Sequence, residues 1–186
     1  MTTPALDELL QTYVGREAEP PRVARYPVNA AMIRNWIEAH DDFNPVYVDD
    51  QAAREAGRDD IICPPAMIST WVMSGYRRYR DVQRLRAQGR SEDFAYSELM
   101  NHLDRAGFTS VVATNVEQSY HRDLRPGDHI TAHYTIESVS GPKTTALGEG
   151  HFITLYKRYL DQSDDLVAEE WFRLLRFRPT AKEGAN

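Results

Sequence analysis

His129-Ile130-Thr131-Ala132-His133-Tyr134-Thr135-Ile136-Glu137-Ser138-Val139 alternates with period two. Ile130, Ala132, Tyr134 and Ile136 fall on one side of an extended chain, and His129, Thr131, His133, Thr135 and Glu137 on the other. Successive side chains of a strand point to opposite faces, so this is the pattern of a strand buried on one face. Arg125-Pro126-Gly127-Asp128 before it and Ser140-Gly141-Pro142-Lys143 after it are turn sequences. Further strand-forming stretches lie outward of these turns: residues 109–122, rich in Val and Thr, then 145–160 and 166–178, the last two joined by Asp161-Gln162-Ser163-Asp164-Asp165. Gly148 and Gly150 predict a bulge. The C-terminal half therefore reads as a four-stranded antiparallel meander, with 23–26 as a possible short fifth strand at its edge. A sheet with one apolar face needs a helix to cover it.

The N-terminal half supplies helices. Thr2 or Thr3 can cap a short first helix, with Pro4 in its first turn and Leu6, Leu9, Leu10 and Tyr13 on one face, before Glu19-Pro20-Pro21 breaks the chain. Asn29 predicts the cap of the next helix, in which Met32, Ile33, Trp36 and Ile37 recur at helical spacing up to His40-Asp41-Asp42. Residues 49–56 form a short helix stopped by Gly57. Pro64 and Pro65 suit a first helical turn, and Met67, Ile68, Trp71, Val72, Gly75, Tyr76 and Tyr79 mark one stripe after them. This makes 65–80 the main buried helix and leaves 81–106 as polar loop or short helices. The fold class is α+β in a single domain, residues 1–186, with its core at about 20–178 and a frayed tail at 179–186.

Bulk properties narrow the function. The 186 residues carry a net charge of −6, so no basic footprint for nucleic acid appears. No apolar run approaches a membrane span, and the N-terminus lacks a signal-peptide core. The single cysteine, Cys63, fits a reducing cytosol and offers no zinc pair. His129 and His133 share a strand face, but no third ligand is evident, so no metal is expected.

The loop Asp42-Phe43-Asn44-Pro45-Val46-Tyr47 resembles the hydratase motif of the MaoC-like hydratase/dehydratase family, Asp-x-Asn-Pro-x-His. Residues 111–122, the turn Leu124-Arg125-Pro126-Gly127-Asp128, and Gly141-Pro142-Lys143 through Ala146-Leu147-Gly148-Glu149-Gly150 are similar to the MaoC-like domain of the larger subunit of actinobacterial steroid side-chain enoyl-CoA hydratases. The likeness spans about residues 20–178. It implies a hot-dog fold, an antiparallel sheet wrapped around a long central helix. It also implies side-by-side pairing of two such units, with the acyl-CoA site at their interface. In the family an Asp–His pair activates the water that adds to the enoyl double bond, and amides at the start of the central helix hold the thioester oxygen. No cofactor is implied beyond the CoA thioester substrate. The longer relatives carry a C-terminal zinc-ribbon and OB-fold extension for which this sequence, ending at Asn186 without cysteine pairs, shows no counterpart.

One departure directs the functional expectation. Asp42, Asn44 and Pro45 match the motif, but Tyr47 stands where the His belongs. A phenol with an ordinary pKa near 10 is a poor base at neutral pH. No catalytic residue is therefore assigned. Asp42, Asn44 and Tyr47 are a remnant motif, with Asp42 and Asn44-Pro45 serving equally as turn-forming residues and Tyr47 as an acyl-tunnel or plain half-buried residue. Tyr47, Pro65, Ala66, Met67 and Trp71 are candidate substrate contacts, the amides of Ala66 and Met67 serving as oxyanion donors. The stripe of Trp71, Met73, Tyr76 and Tyr79 is core, with part of it available to wall a steroid-sized pocket. His121, Arg122, Arg125 and Lys143 are candidates for CoA phosphates, against the plain alternative of solvated side chains. The leading expectation is the pocket-forming subunit of a heteromeric enoyl-CoA hydratase for a steroid or bile-acid side chain, inactive alone and completed by a small catalytic hot-dog partner. The alternatives are a self-sufficient hydratase using Asp42 with Tyr47, His40 or His121, a scaffold module touching a thiolase or aldolase, and, more distantly, a thioesterase.

Overall fold

A computed structural model describes residues 3–179. The alternation at 129–139 survives in three dimensions. Strand β3 (Thr131–Val139) buries Ala132, Tyr134 and Ile136 and leaves the intervening residues partly open. Five other strands share its sheet: β1 (Glu17–Val23), β2 (Ser110–Tyr120), β4 (Lys143–Thr145), β5 (Gly148–Leu160) and β6 (Leu166–Pro179). The order is β1-β3-β5-β6-β2, with β4 attached to β5, and every pairing is antiparallel.

Three strand expectations change. The sheet is not a simple meander, because β2 pairs with β6 at the far edge, and β1 takes the place beside β3. The edge strand lies at Glu17–Val23 instead of 23–26, and it holds Pro20 and Pro21 within it. Proline cannot donate to a ladder, so it is tolerated at a sheet edge, here with register shifts on both sides of Glu19. Pairing runs without a shift through Gly148 and Gly150, so no bulge forms there. Gly150 answers a different need. A Cβ on it would sit 2.3 Å from the carbonyl oxygen of Arg176 on β6.

The helices are α1 (Thr3–Gln11), α2 (Ala30–His40), α3 (Asp50–Glu55), α4 (Gly75–Ala87) and α5 (Ala95–Arg105), with 3₁₀ segments at Pro45–Tyr47 and Pro65–Val72. Asn29 caps α2 by accepting from the Met32 amide at 3.0 Å, and Ile33 and Ile37 face the core, as the spacing predicts. Gly57 follows α3 with φ 79°, the left-handed stop expected there. The anticipated buried helix over 65–80 is instead split. Met67, Ile68, Trp71 and Val72 are buried in the 3₁₀ segment, but Met73, Tyr76 and Tyr79 are exposed. The missing stretch of core comes from α5, inside the region expected to be irregular, where Ala95, Leu99 and Leu103 are buried. The side chains of Thr2, Thr3 and Pro4, expected to start α1, and the tail from residue 180 onward lie outside the described residues; Pro179 closes β6. Among the described residues no helix is long and apolar enough to cross a membrane.

Candidate functional site

The loop after α2 is a sequence of local caps. Asp41 takes a left-handed conformation at φ 55° and ends the helix. The Asn44 side chain then accepts from the Val46 amide at 3.3 Å and starts the turn Pro45–Tyr47. Asp42 and Tyr47 are both half-buried, and Tyr47 packs against the core. Burial first, and then the negative charge of Asp42, push the Tyr47 phenol above its ordinary value. Tyr47 is therefore a neutral hydroxyl over the physiological range, not a base.

The loop is tied to the next element by backbone. The Ile62 amide donates to Val46 O at 3.1 Å, and the Cys63 amide to Leu124 O at 2.7 Å. These bonds hold the Pro64-Pro65 start beside the 120–125 turn. Cys63 is buried, receives the Trp71 indole N–H at 3.4 Å, and has its thiol pushed up to about 12 by that burial. The Met67 amide is committed to Pro64 O at 2.9 Å. Since Pro65 has no N–H, only the Ala66 amide at this start has no helical acceptor. The Met67 side chain is fully buried, whereas Pro65 and Ala66 are exposed.

The residues expected to meet phosphates do not come together. Arg122 binds Asp128 at 2.8 Å and Asp161 at 2.5 Å, and also donates to Asp123 O, so it braces the turn. His121 pairs with Glu169 at 2.8 Å on the sheet's outer face, where Tyr156 also donates to that carboxylate. Arg125 is half-exposed beside Asp59. Lys143 is exposed on β4, opposite Gly150, while the Arg122 partner Asp161 follows the other end of β5. At about 3.3 Å per residue, that separation is about 35 Å, so Lys143 belongs to a different end of the molecule. His40, the other candidate base, stacks on Trp36 and bonds its carbonyl at 2.8 Å. Among the described residues no three His, Cys, Asp or Glu side chains could hold a metal ion.

The steroid-sized pocket expected along the stripe lies instead between the sheet and α4, as a cavity of about 1030 Å³, and of Trp71, Met73, Tyr76 and Tyr79 only Met73 borders it. Its roof is Arg78, Val82, Leu85 and Arg86, one face of α4 at spacings of four, three and one. Ser69, Val72 and Met73 of the 3₁₀ segment border it on one side, and Tyr96 and Met100 of α5 on another. Tyr134, Leu155, Lys157, Tyr159 and Phe172 form the floor. The volume suits a large acyl group. The signal that could have found it is Lys157, a charged residue at an inward-facing position of a strand whose neighbours there are apolar.

With this geometry in hand, the relationships are clear. Residues 12–170 match the family model for the FAS1-like dehydratase domain region. The chain belongs to this MaoC-like hydratase and dehydratase family. A crystal structure of the ChsH1–ChsH2 complex from Mycobacterium tuberculosis contains a chain similar to this MaoC-like domain, with a TM-score of 0.81 at 39% identity over 98% of this chain and 96% of that one. A probable enoyl-CoA hydratase alpha subunit of Thermomonospora curvata is 45% identical over 95% of this chain and 53% of its own length. The 3-oxo-4,17-pregnadiene-20-carboxyl-CoA hydratase alpha subunit of Mycobacterium tuberculosis is 44% identical over 86% and 48%. The chain thus spans about half the length of these curated relatives. A MaoC-like dehydratase at 19% identity and a TM-score of 0.61 shares the hot-dog fold.

Proposed function

We propose that this chain is the pocket-forming half of a heteromeric enoyl-CoA hydratase. It would house a bulky acyl group, of steroid or bile-acid side-chain type, while a small hot-dog partner supplies the water-activating pair. The observation that carries this reading is the combination of a 1030 Å³ acyl-sized cavity with a motif whose basic position is the neutral Tyr47. Two features support it. The relatives above are named as alpha subunits, one of them for a steroid carboxyl-CoA. Among the described residues strand β2 ends the sheet with its outer edge unpaired and Val111, Val116 and Tyr120 exposed, a surface suited to pairing with a second hot-dog unit. The Ala66 amide at the 3₁₀ start is the group left open to the thioester oxygen, and Arg125, half-exposed and paired only with the exposed Asp59, is the candidate for a CoA phosphate. His121 and Arg122, already held by carboxylates, shape that rim.

The test is to purify the chain alone and with a small hot-dog subunit, and to follow loss of enoyl-thioester absorbance with a steroid side-chain enoyl-CoA. Activity confined to the complex is expected. Full activity from the chain alone would overturn the division of labour.

A further inference from the structure

The cavity is lined by more cations than its acids pair. Glu19 binds Arg22 and Arg78, Glu92 binds Arg78, Asp104 binds Arg176, and Glu170, which does not border the space, binds Lys157. Arg22, Arg78, Arg176 and Lys157 are thereby neutralised. Arg86 and Arg90 line the same space and have no ion-pair partner among the described residues. The cavity therefore carries an excess of positive charge, although the chain as a whole has a net charge of −6. Such a local excess concentrates anions.

The end of α4 brings these two arginines together. Gly89 turns the chain with φ 68°; its amide donates to Arg86 O at 2.9 Å, and the Arg90 amide donates back to Leu85 O at 2.9 Å. This pair of bonds commonly closes a helix on a left-handed glycine. It returns Arg90 to the last turn of the helix, where Leu85 and Arg86 also border the cavity. Ser91 and Asn101 border it at the same end. The Asn101 side chain donates to Ser91 Oγ at 2.9 Å, and the Ser91 hydroxyl makes no hydrogen bond as donor among the described residues. A cation at a helix C-terminus gains from the helix dipole, but that gain needs no cavity beside it. Arg86 and Arg90 are exposed at the rim, so an anion held between them keeps part of its hydration.

The place of this pole decides which anion it suits. The Ala66 amide, the candidate thioester contact, starts the 3₁₀ segment that leads into α4 at Gly75. At about 1.5 Å per helical residue, Arg86 lies about 16 Å beyond Gly75. An acyl group lying in the cavity brings its far end there, whereas the CoA phosphates lie on the other side of the thioester. Two guanidinium groups and a hydroxyl donor match a carboxylate.

We infer that Arg86, Arg90 and Ser91 form a subsite for a carboxylate on the end of the acyl group remote from the thioester, so that the protein favours the CoA half-thioester of a bulky dicarboxylic acid. This inference rests on the acyl-thioester reading above.

The experiment titrates the complex with a small hot-dog subunit calorimetrically. The ligands are two saturated, unreactive CoA thioesters of one alicyclic skeleton, one ending in a remote carboxylate and one in a methyl group. Charge-assisted hydrogen bonds at a partly solvated rim make the carboxylate bind about tenfold tighter at low salt. That preference shrinks as salt rises, because exposed charges are screened. Replacing both arginines, Arg86→Gln with Arg90→Gln, brings the two affinities within about twofold of each other; circular dichroism checks the fold. Arg86→Lys keeps the charge but loses the planar fork, and retains part of the preference. Pantetheine thioesters of the same two acids, which lack the CoA phosphates, show the same preference. Equal binding of the two CoA thioesters by the parent overturns the subsite alone, as does a preference that survives the double substitution. A double variant that weakens both CoA thioesters alike and neither pantetheine thioester also overturns it, and assigns the arginines to the CoA phosphates. Binding of neither CoA thioester overturns the acyl-thioester reading and the subsite with it.

Discussion

Helices α4 and α5 are neighbours in sequence and similar in length, but they meet the sheet differently. The eleven residues of α5 bury Ala95, Leu99 and Leu103, and the helix packs on β1 and α1. The thirteen residues of α4 bury none. Its inward face, Arg78, Val82, Leu85 and Arg86, borders the cavity, and its outward face carries exposed Tyr76 and Tyr79. A helix seated on a sheet normally gains its stability from the apolar stripe it buries. In α4 that gain is largely absent, and the volume a packed helix would fill is left as space. The fold is thus divided into a packed half, which holds the sheet together, and an open half, which can receive a ligand.

Truncation should expose this division most strongly. Leu103 is fully buried, and Leu103→Ala should destabilise the chain by about 2–5 kcal/mol through lost burial and a residual cavity. Leu85 already faces empty volume, so Leu85→Ala should change stability by less than about 1 kcal/mol. Urea unfolding of both variants decides the matter. Equal losses would mean that α4 is packed in solution and that the cavity is closed there.

Filling the space should act in the opposite direction. Val82→Trp places a large ring into the roof of the cavity without displacing any buried side chain. Stability should stay within about 1 kcal/mol of the parent. Affinity for a bulky steroid thioester should fall about tenfold or more, while a short-chain thioester is unaffected, because only the former needs the volume. Equal weakening for both ligands would separate the cavity from acyl recognition.

The same division explains which parts of the molecule were legible in the sequence. Strands announce themselves by local rules, so β3, β5 and β6 are readable from alternation and from the turns between them. The caps at Asn29 and Gly57 are equally local. The strand order is not local: nothing in the spacing of β2 requires it to cross to β6. Nor does a stripe of Met, Trp and Tyr from 67 to 79 reveal that its second half faces water. That depends on Leu99 and Leu103 covering the sheet instead, a competition settled only in three dimensions. At the candidate site, the substitution at Tyr47 was visible at once. The position of the pocket was not, because empty space has no residue of its own; its trace is Lys157, a charged residue on an otherwise apolar face.

The ion-paired turn at the end of the sheet offers a pH test that should leave the open half unaffected. Asp161 is buried, which by itself would raise its carboxyl, but hydrogen bonds from Arg122 and from the Ser163 and Asp165 amides outweigh this and hold it below the ordinary carboxylate value. A carboxyl depressed by folding stabilises the protein above its unfolded pKa and loses that contribution as pH falls through the folded value. The melting temperature of the parent chain should therefore decline as pH drops below about 4, and Asp161→Asn should flatten that decline while lowering stability at pH 7. Parallel pH profiles for the two proteins would remove Asp161 from the acid response.

The smallest effect concerns Tyr47, and it is informative because it is small. The hydroxyl sits where the family's motif has a base, but burial and Asp42 both disfavour its ionisation. Tyr47→Phe removes only the oxygen and keeps the ring against the core. If the open half merely receives substrate, turnover by the complex with its hot-dog partner should change by less than about threefold, with the same pH profile. A loss of about a hundredfold or more, on the scale of a general base, would place proton transfer on this chain and erase the contrast between a packed scaffold and a passive pocket. An intermediate loss confined to KM would instead make the phenol a substrate contact, leaving that contrast intact and drawing its boundary through the turn Pro45–Tyr47.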